Sequence, residues 1–149
     1  MAIEETTRVS LREVNEDDLL VLFDHQKDPV SVEMANVPAR VHDAHMAHWR
    51  KVLEDGTVIK RIIVFDGEVA GHVVCWGQDD QHNVGYWLGQ SFWGKGFATE
   101  ALSLFLELVP IRPLHAYVSN HNVGSFRVLE KCGFTVERED AVEKVLLLR

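Results

Sequence analysis

Apolar and polar positions along the chain follow two periods, and the switches between them mark the elements. Val9 and Leu11 alternate with polar neighbours and predict a short strand over Thr7–Arg12. Asn15 then precedes Glu16-Asp17-Asp18, a helix start with acids in its first turn. Leu19, Leu20, Leu22 and Phe23 give that helix an apolar face ending near Lys27, and Asp28-Pro29 stops it. Val30–Arg40 has no clear period and reads as irregular. A second helix is predicted over His42–Glu54, with Met46, Trp49 and Leu53 on one stripe and Asp55-Gly56 closing it.

Period two then returns. Val58–Phe65 and Glu68–Trp76 flank Asp66-Gly67, a two-residue hairpin signal. After the polar Gln78–Gln81 a third strand follows, Asn83–Leu88, and the short connections make this run antiparallel. From Phe97 to Val109 apolar residues cover nearly every helical face, which predicts a largely buried helix ended by Pro110 and Pro113. Leu114–Val118 must lie parallel to Asn83–Leu88, because a helix crosses between them. Val123–Lys131 reads as a helix capped by Asn122 and Gly133, before closing strands at Phe134–Val136 and Val142–Leu148. The predicted order is βααβββαβαββ. It describes an α/β (α+β) domain, a mixed and mostly antiparallel twisted sheet with helices on both faces.

Composition narrows the function classes. A chain of 149 residues, 46% hydrophobic and 26% charged, suits one globular domain over 1–149. A net charge of −8 argues against nucleic acid as a partner, since that needs a basic footprint. It suits a cationic or amine-bearing substrate, and it equally suits plain solubility. No apolar run reaches the length of a membrane span, and the polar Met1–Glu13 lacks the core of a signal peptide, so a cytoplasmic location is expected. Cys75 and Cys132 sit in apolar surroundings and read as free buried thiols. His42, His45 and His48 recur every three residues. That spacing drifts around a helix and suits a solvated face better than a metal site, so no metal is expected.

The stretch Gly85–Glu100 carries the chemistry. It reads as a strand, a loop Trp93-Gly94-Lys95-Gly96, and the start of the apolar helix at Phe97-Ala98-Thr99. Unpaired N–H groups at a helix start carry partial positive charge, and glycines let the backbone approach a ligand. Together they make an anion seat, most often for phosphate.

A second segment, Asn120-His121-Asn122-Val123-Gly124-Ser125-Phe126-Arg127-Val128-Leu129-Glu130-Lys131-Cys132-Gly133-Phe134, lies one strand further on. The two motifs in this order resemble the GNAT superfamily of acyl-CoA-dependent N-acetyltransferases. The resemblance is nearest to the ribosomal-protein N-acetyltransferase (RimJ/RimL-like) branch, and the element order agrees over almost the whole chain. It implies that Trp93, Gly94, Lys95, Gly96, Phe97, Ala98 and Thr99 cradle the CoA pyrophosphate. Main-chain groups of Tyr86, Trp87 and Leu88 would pair with pantetheine as an added strand does. Asn122 would hydrogen-bond the CoA arm and cap its own helix. Arg127, and less so Lys131, would meet CoA phosphates. The family often carries a Tyr acid on this helix. Here Phe126 stands at the neighbouring position, which leaves Ser125 as the candidate to protonate the departing thiolate.

The implied activity is direct transfer of an acetyl group from acetyl-CoA to a primary amine, a protein N-terminus or a small-molecule amine. The resemblance also makes a homodimer an expectation. The family's Glu before the Gly-Tyr-Trp strand is replaced by His82-Asn83, so the general base stays open among His82, His72, Glu33 and a bound water. A non-catalytic acyl-CoA-binding module of the same fold is the alternative reading, and a phosphate-binding protein unrelated to CoA is a third.

Overall fold

The computed structural model describes residues 8–149. Thr7, and with it the start of the first predicted strand, lies outside them. β1 (Val9–Arg12) leads through a 3-10 turn at Glu16–Asp18 into α1 (Leu19–Lys27), α2 (Pro29–Ala35) and α3 (His42–Glu54). β2 (Ile59–Phe65), β3 (Glu68–Gln78) and β4 (Gln81–Leu88) follow, then α4 (Phe97–Leu108), β5 (Leu114–Ser119), α5 (Val123–Lys131), β6 (Thr135–Glu139) and β7 (Glu143–Leu148). The seven strands form one sheet in the order β1-β2-β3-β4-β5-β7-β6. All neighbours pair antiparallel except β4 and β5, which are parallel.

Asn15 is a cap, as its position suggested. Its side chain accepts from the Asp17 N–H, and Asp18 reaches back to the Asn15 N–H in a capping box. Arg12 closes on the buried Asp18 with two bonds of 2.8 Å, and this hydrogen bonding holds the Asp18 carboxyl below its ordinary range.

The expected order gains one helix. Val30–Arg40, read as irregular, begins inside α2. Asp28-Pro29 does stop α1, but it also starts the next helix. Pro29 takes the first helical position, and the Asp28 carboxylate accepts from the Ser31 N–H at 3.2 Å and its hydroxyl at 2.8 Å. Asn36 ends α2 in the left-handed region at φ 55.

Strand alternation sends Ile62 and Ile63 to opposite faces of the sheet, and each face has its own core. On one face α4 buries Phe97, Ala101, Leu102 and Phe105 against Ile63, Val73 and Val84. On the other, α1 and α3 bury Leu19, Leu22 and Trp49 against Ile62. The histidine stripe departs from a solvated face at one position. His45 is 1% exposed, and its Nε2 donates to the Leu19 carbonyl at 2.9 Å.

Candidate active site

The parallel pair carries the site. Its register covers only His82–Leu114 and Asn83–His115. Beyond that β4 and β5 diverge, so Val84–Leu88 runs without a β5 partner towards the glycine loop. A cavity of about 600 Å³ opens along this edge. Tyr86, Trp87 and Leu88 form one wall, and Trp93, Gly94, Gly96, Phe97, Ala98 and Thr99 form its end. Arg127 and Lys131 of α5 stand on its rim, and Ser31, Met34 and Ala35 of α2 roof it. A second recess of about 170 Å³ lies in the gap between β4 and β5. The two share Ala35, Tyr86, Trp87, Asn122 and Ser125.

The loop fits an anion. Gly94 and Gly96 adopt φ +76 and +80, and a Cβ on Gly94 would meet only open space. Gly96 caps α4, so the first N–H groups of that helix face the cavity end with no side-chain cap. Lys95 does not line the cavity. Its carbonyl accepts from Arg8 Nη2 at 2.6 Å. Arg8 also binds the Glu100 carboxylate in the first turn of α4 and lies 4.9 Å from the centre of the Phe97 ring. Phe97 is 2% exposed and stacks on Phe65, so only its backbone is available to a ligand. Arg8, just ahead of β1, braces the loop from about ninety positions earlier, and no local signal marks it.

The strand wall is partly committed. Trp93 Nε1 donates to the Leu88 carbonyl at 2.8 Å, and Trp87 Nε1 to the His25 carbonyl at 3.2 Å. Where the gap opens, the Asn122 side chain accepts from the Ser125 N–H at 3.2 Å and so caps α5. The Tyr86 hydroxyl donates to Ser125 Oγ at 2.9 Å. Burial pushes the Tyr86 phenol up to about 12. It therefore stays protonated near neutral pH and leaves the Ser125 hydrogen free to point elsewhere. Tyr86 reads from the sequence as a core aromatic at strand spacing, and only the fold reveals its hydroxyl partner.

The base candidates are scattered. His82 sits at the paired end of β4, exposed, and lines neither the cavity nor the recess. His72 lies opposite Trp87 on β3 and packs edge-on against Trp49 at 4.8 Å. Its Nδ1 has no partner, and burial pushes its imidazole down to about 3. Glu33 is exposed on α2, and what it sends towards the cavity is its carbonyl, which accepts from His121 Nε2 at 2.6 Å. Among the described residues no group of three or more His, Cys, Asp or Glu could hold a metal ion, and no helix is long and apolar enough to cross a membrane. Cys75 and Cys132 are free, and burial raises both thiols.

The family model described as Acetyltransferase (GNAT) domain matches residues 8–135. The chain belongs to that family and is an N-acetyltransferase. Uncharacterized N-acetyltransferase p20 of Bacillus licheniformis is 25% identical over 145 residues, 89% of this chain and 82% of that one. Spermidine N-acetyltransferase of Vibrio cholerae, solved with CoA and spermine, superposes with a TM-score of 0.82 at 14% identity, over 96% of each chain. RimL, a ribosomal L7/L12 alpha-N-protein acetyltransferase solved with coenzyme A, gives 0.80 at 17% identity, over 96% of this chain and 94% of that one. At such identities the structural likeness speaks for the fold.

Proposed function

We propose that this acetyltransferase moves an acetyl group from acetyl-CoA directly onto a primary amine, a protein N-terminus or a small-molecule amine. The observation that carries the reading is the divergence of β4 from β5, which runs straight into the glycine loop with Ser125 at its fork. The anion seat at Trp93–Thr99 suits a pyrophosphate, with Arg127 and Lys131 as rim cations for further phosphate charge. The free edge of Tyr86–Leu88 suits the two amides of a pantetheine arm. The thioester would then reach the fork, where the cavity and the recess meet at Asn122 and Ser125.

Ser125 accepts from Tyr86, so its own hydrogen can point at a sulfur and stabilise the thiolate as the C–S bond breaks. A backbone N–H of the strand end, that of Leu88, is the candidate to polarise the thioester carbonyl. Cys132 is half-buried with a raised thiol, which favours direct transfer over a covalent enzyme intermediate. The solved RimL and spermidine enzymes act on a protein α-amine and a polyamine, which makes both acceptor types the first to try.

Thiol release from acetyl-CoA, measured with spermidine, an aminoglycoside and short peptides bearing a free α-amine, tests the reading. Turnover with at least one of them is expected, together with a rise in Tm on adding CoA. A Tm rise without turnover on any amine would sink catalysis and leave a binding module. No Tm rise would sink the CoA site itself.

A further inference from the structure

We propose that His121 takes the proton of the acceptor amine through the Ser119 hydroxyl. This rests on the acetyl-transfer reading above and supplies the base that reading lacks. β5 ends at Ser119, and a tight turn follows in which the Asn122 N–H donates to the Ser119 carbonyl at 2.9 Å. The turn folds the His121 ring back over Ser119. It is anchored from the other side by Asn120, whose amide donates to the Asp140 carbonyl at 2.8 Å and whose oxygen accepts from Lys144 at 3.0 Å. The imidazole is therefore held by its own turn and by α2, and it does not depend on a mobile side chain for its place.

Both ring nitrogens are engaged, and the partners decide the tautomer. The Glu33 carbonyl can only accept, so His121 Nε2 carries the hydrogen of that 2.6 Å bond. Nδ1 then presents its lone pair to Ser119 Oγ at 2.9 Å, and the hydroxyl donates to it. Serine, imidazole and an oriented acceptor in series form the arrangement by which a hydroxyl passes on a proton. Here a main-chain carbonyl fills the third place. Ser119 lines the recess between the strands together with Ser125, and His121 lines the larger cavity. The group that accepts a proton and the group that gives one thus flank the same fork.

The amine nitrogen forms its bond to the acetyl carbon and loses a proton to Ser119 Oγ. The Ser119 proton moves to His121 Nδ1, and the C–S electron pair leaves on sulfur. The imidazolium keeps its Nε2–H bond to the Glu33 carbonyl, and its exposed ring returns the added proton to solvent.

His121→Gln separates this role from a structural one, because the Gln amide can still donate to the Glu33 carbonyl but cannot take up a proton. With whichever panel amine turns over, kcat should fall roughly 100-fold with the acceptor KM within about twofold. Ser119→Ala should lower kcat in the same way, and added imidazole should restore part of the turnover of His121→Ala. The CoA-induced Tm shift should be the same in all three variants, which checks that the fold and donor site persist. An unchanged kcat in His121→Gln, or a rise in acceptor KM alone with no rescue by imidazole, would overturn the base and leave a tether for α2. A wild-type protein that binds CoA yet acetylates none of the amines would instead overturn the acetyl-transfer reading on which the base rests.

Discussion

In the proposed reading the donor side of the cavity is built mainly from backbone, and the acceptor side mainly from side chains. At the donor end the groups on offer are the N–H row of the glycine loop and the first turn of α4, with the free edge of β4 beside them. Phe97 and Ala98 turn their side chains into the core or stay small. Across the fork the proposed acceptor groups are the Ser119 hydroxyl and the His121 imidazole, joined within one turn, and α2, tied to that turn through the Glu33 carbonyl. The difference has a physical basis. A diphosphate and two amides need a fixed row of donors and acceptors, which the backbone provides whatever the side chains are. An amine must be chosen and deprotonated, and only side chains can be varied to do that.

Gly96→Val gives the largest expected break in this contrast. At φ +80 a β-branched residue is strained, and its Cβ would stand 3.1 Å from Arg8 Nη2. The loop must shift, and with it the N–H row. CoA affinity should fall on the order of 100-fold by calorimetry, about the 2–3 kcal/mol expected for losing several aligned donors at once. Substitutions on α2 away from its cavity-lining residues Ser31, Met34 and Ala35 should leave that affinity alone. Unchanged CoA binding in Gly96→Val would mean that the donor side does not rest on this backbone.

The next effect belongs to the sheet face covered by α1 and α3. His72 is pushed down to about 3, first by burial and then by the nearby His25, His45 and His48. His25 and His45 are lowered too, again chiefly by burial. Above pH 6.5 the folded and unfolded chains are both neutral at these rings, and the groups cost nothing. Below it the unfolded chain binds protons that the folded one refuses, so stability drains away as the pH falls towards the folded value. His72 alone should cost about 2 kcal/mol between pH 7 and pH 5. The α4 face buries no histidine in its core and should add little to this slope. Urea unfolding at the two pH values measures it, and His72→Met should flatten it. An equal slope in that variant would remove the asymmetry between the two faces.

How much of this could be read in advance follows the same division. The glycine loop and the Asn122–Phe134 segment are contiguous, and each position acts through neighbours within a turn, so a linear pattern is enough to place them. Asn122 as a cap and Gly96 at positive φ are of this kind. Arg8 on the loop, Tyr86 on Ser125 and His121 on Glu33 join residues 39 to 92 positions apart, and periodicity carries nothing about such pairs. α2 is hidden in the sequence for a different reason. Asp28-Pro29 carries two meanings, a stop for the helix before and a start for the helix after. In a helix of only seven residues, Val30–Ala35 shows too little period to decide between them. His121 lies inside the Asn120–Phe134 segment, and only the turn that folds its ring onto Ser119 gives it its proposed role.

The smallest expected effect tests whether that short helix belongs to the acceptor side alone. Asp28→Ala removes both bonds of the α2 cap and leaves the hydroxyl of Ser31, which is 2% exposed, without its partner. Loss of such a cap costs about 1 kcal/mol. The cost falls locally, because α2 is tied to the rest of the site through Glu33 and the cavity roof of Ser31, Met34 and Ala35. A looser α2 should raise the acceptor KM about two- to threefold, and because the Glu33 carbonyl moves with it, kcat should fall by a similar factor. CoA binding should not change, since the seat at Trp93–Thr99 shares no hydrogen bond with α2. If CoA affinity fell along with the acceptor terms, α2 would be a wall common to both substrates, and the division between a backbone half and a side-chain half would fail at that helix.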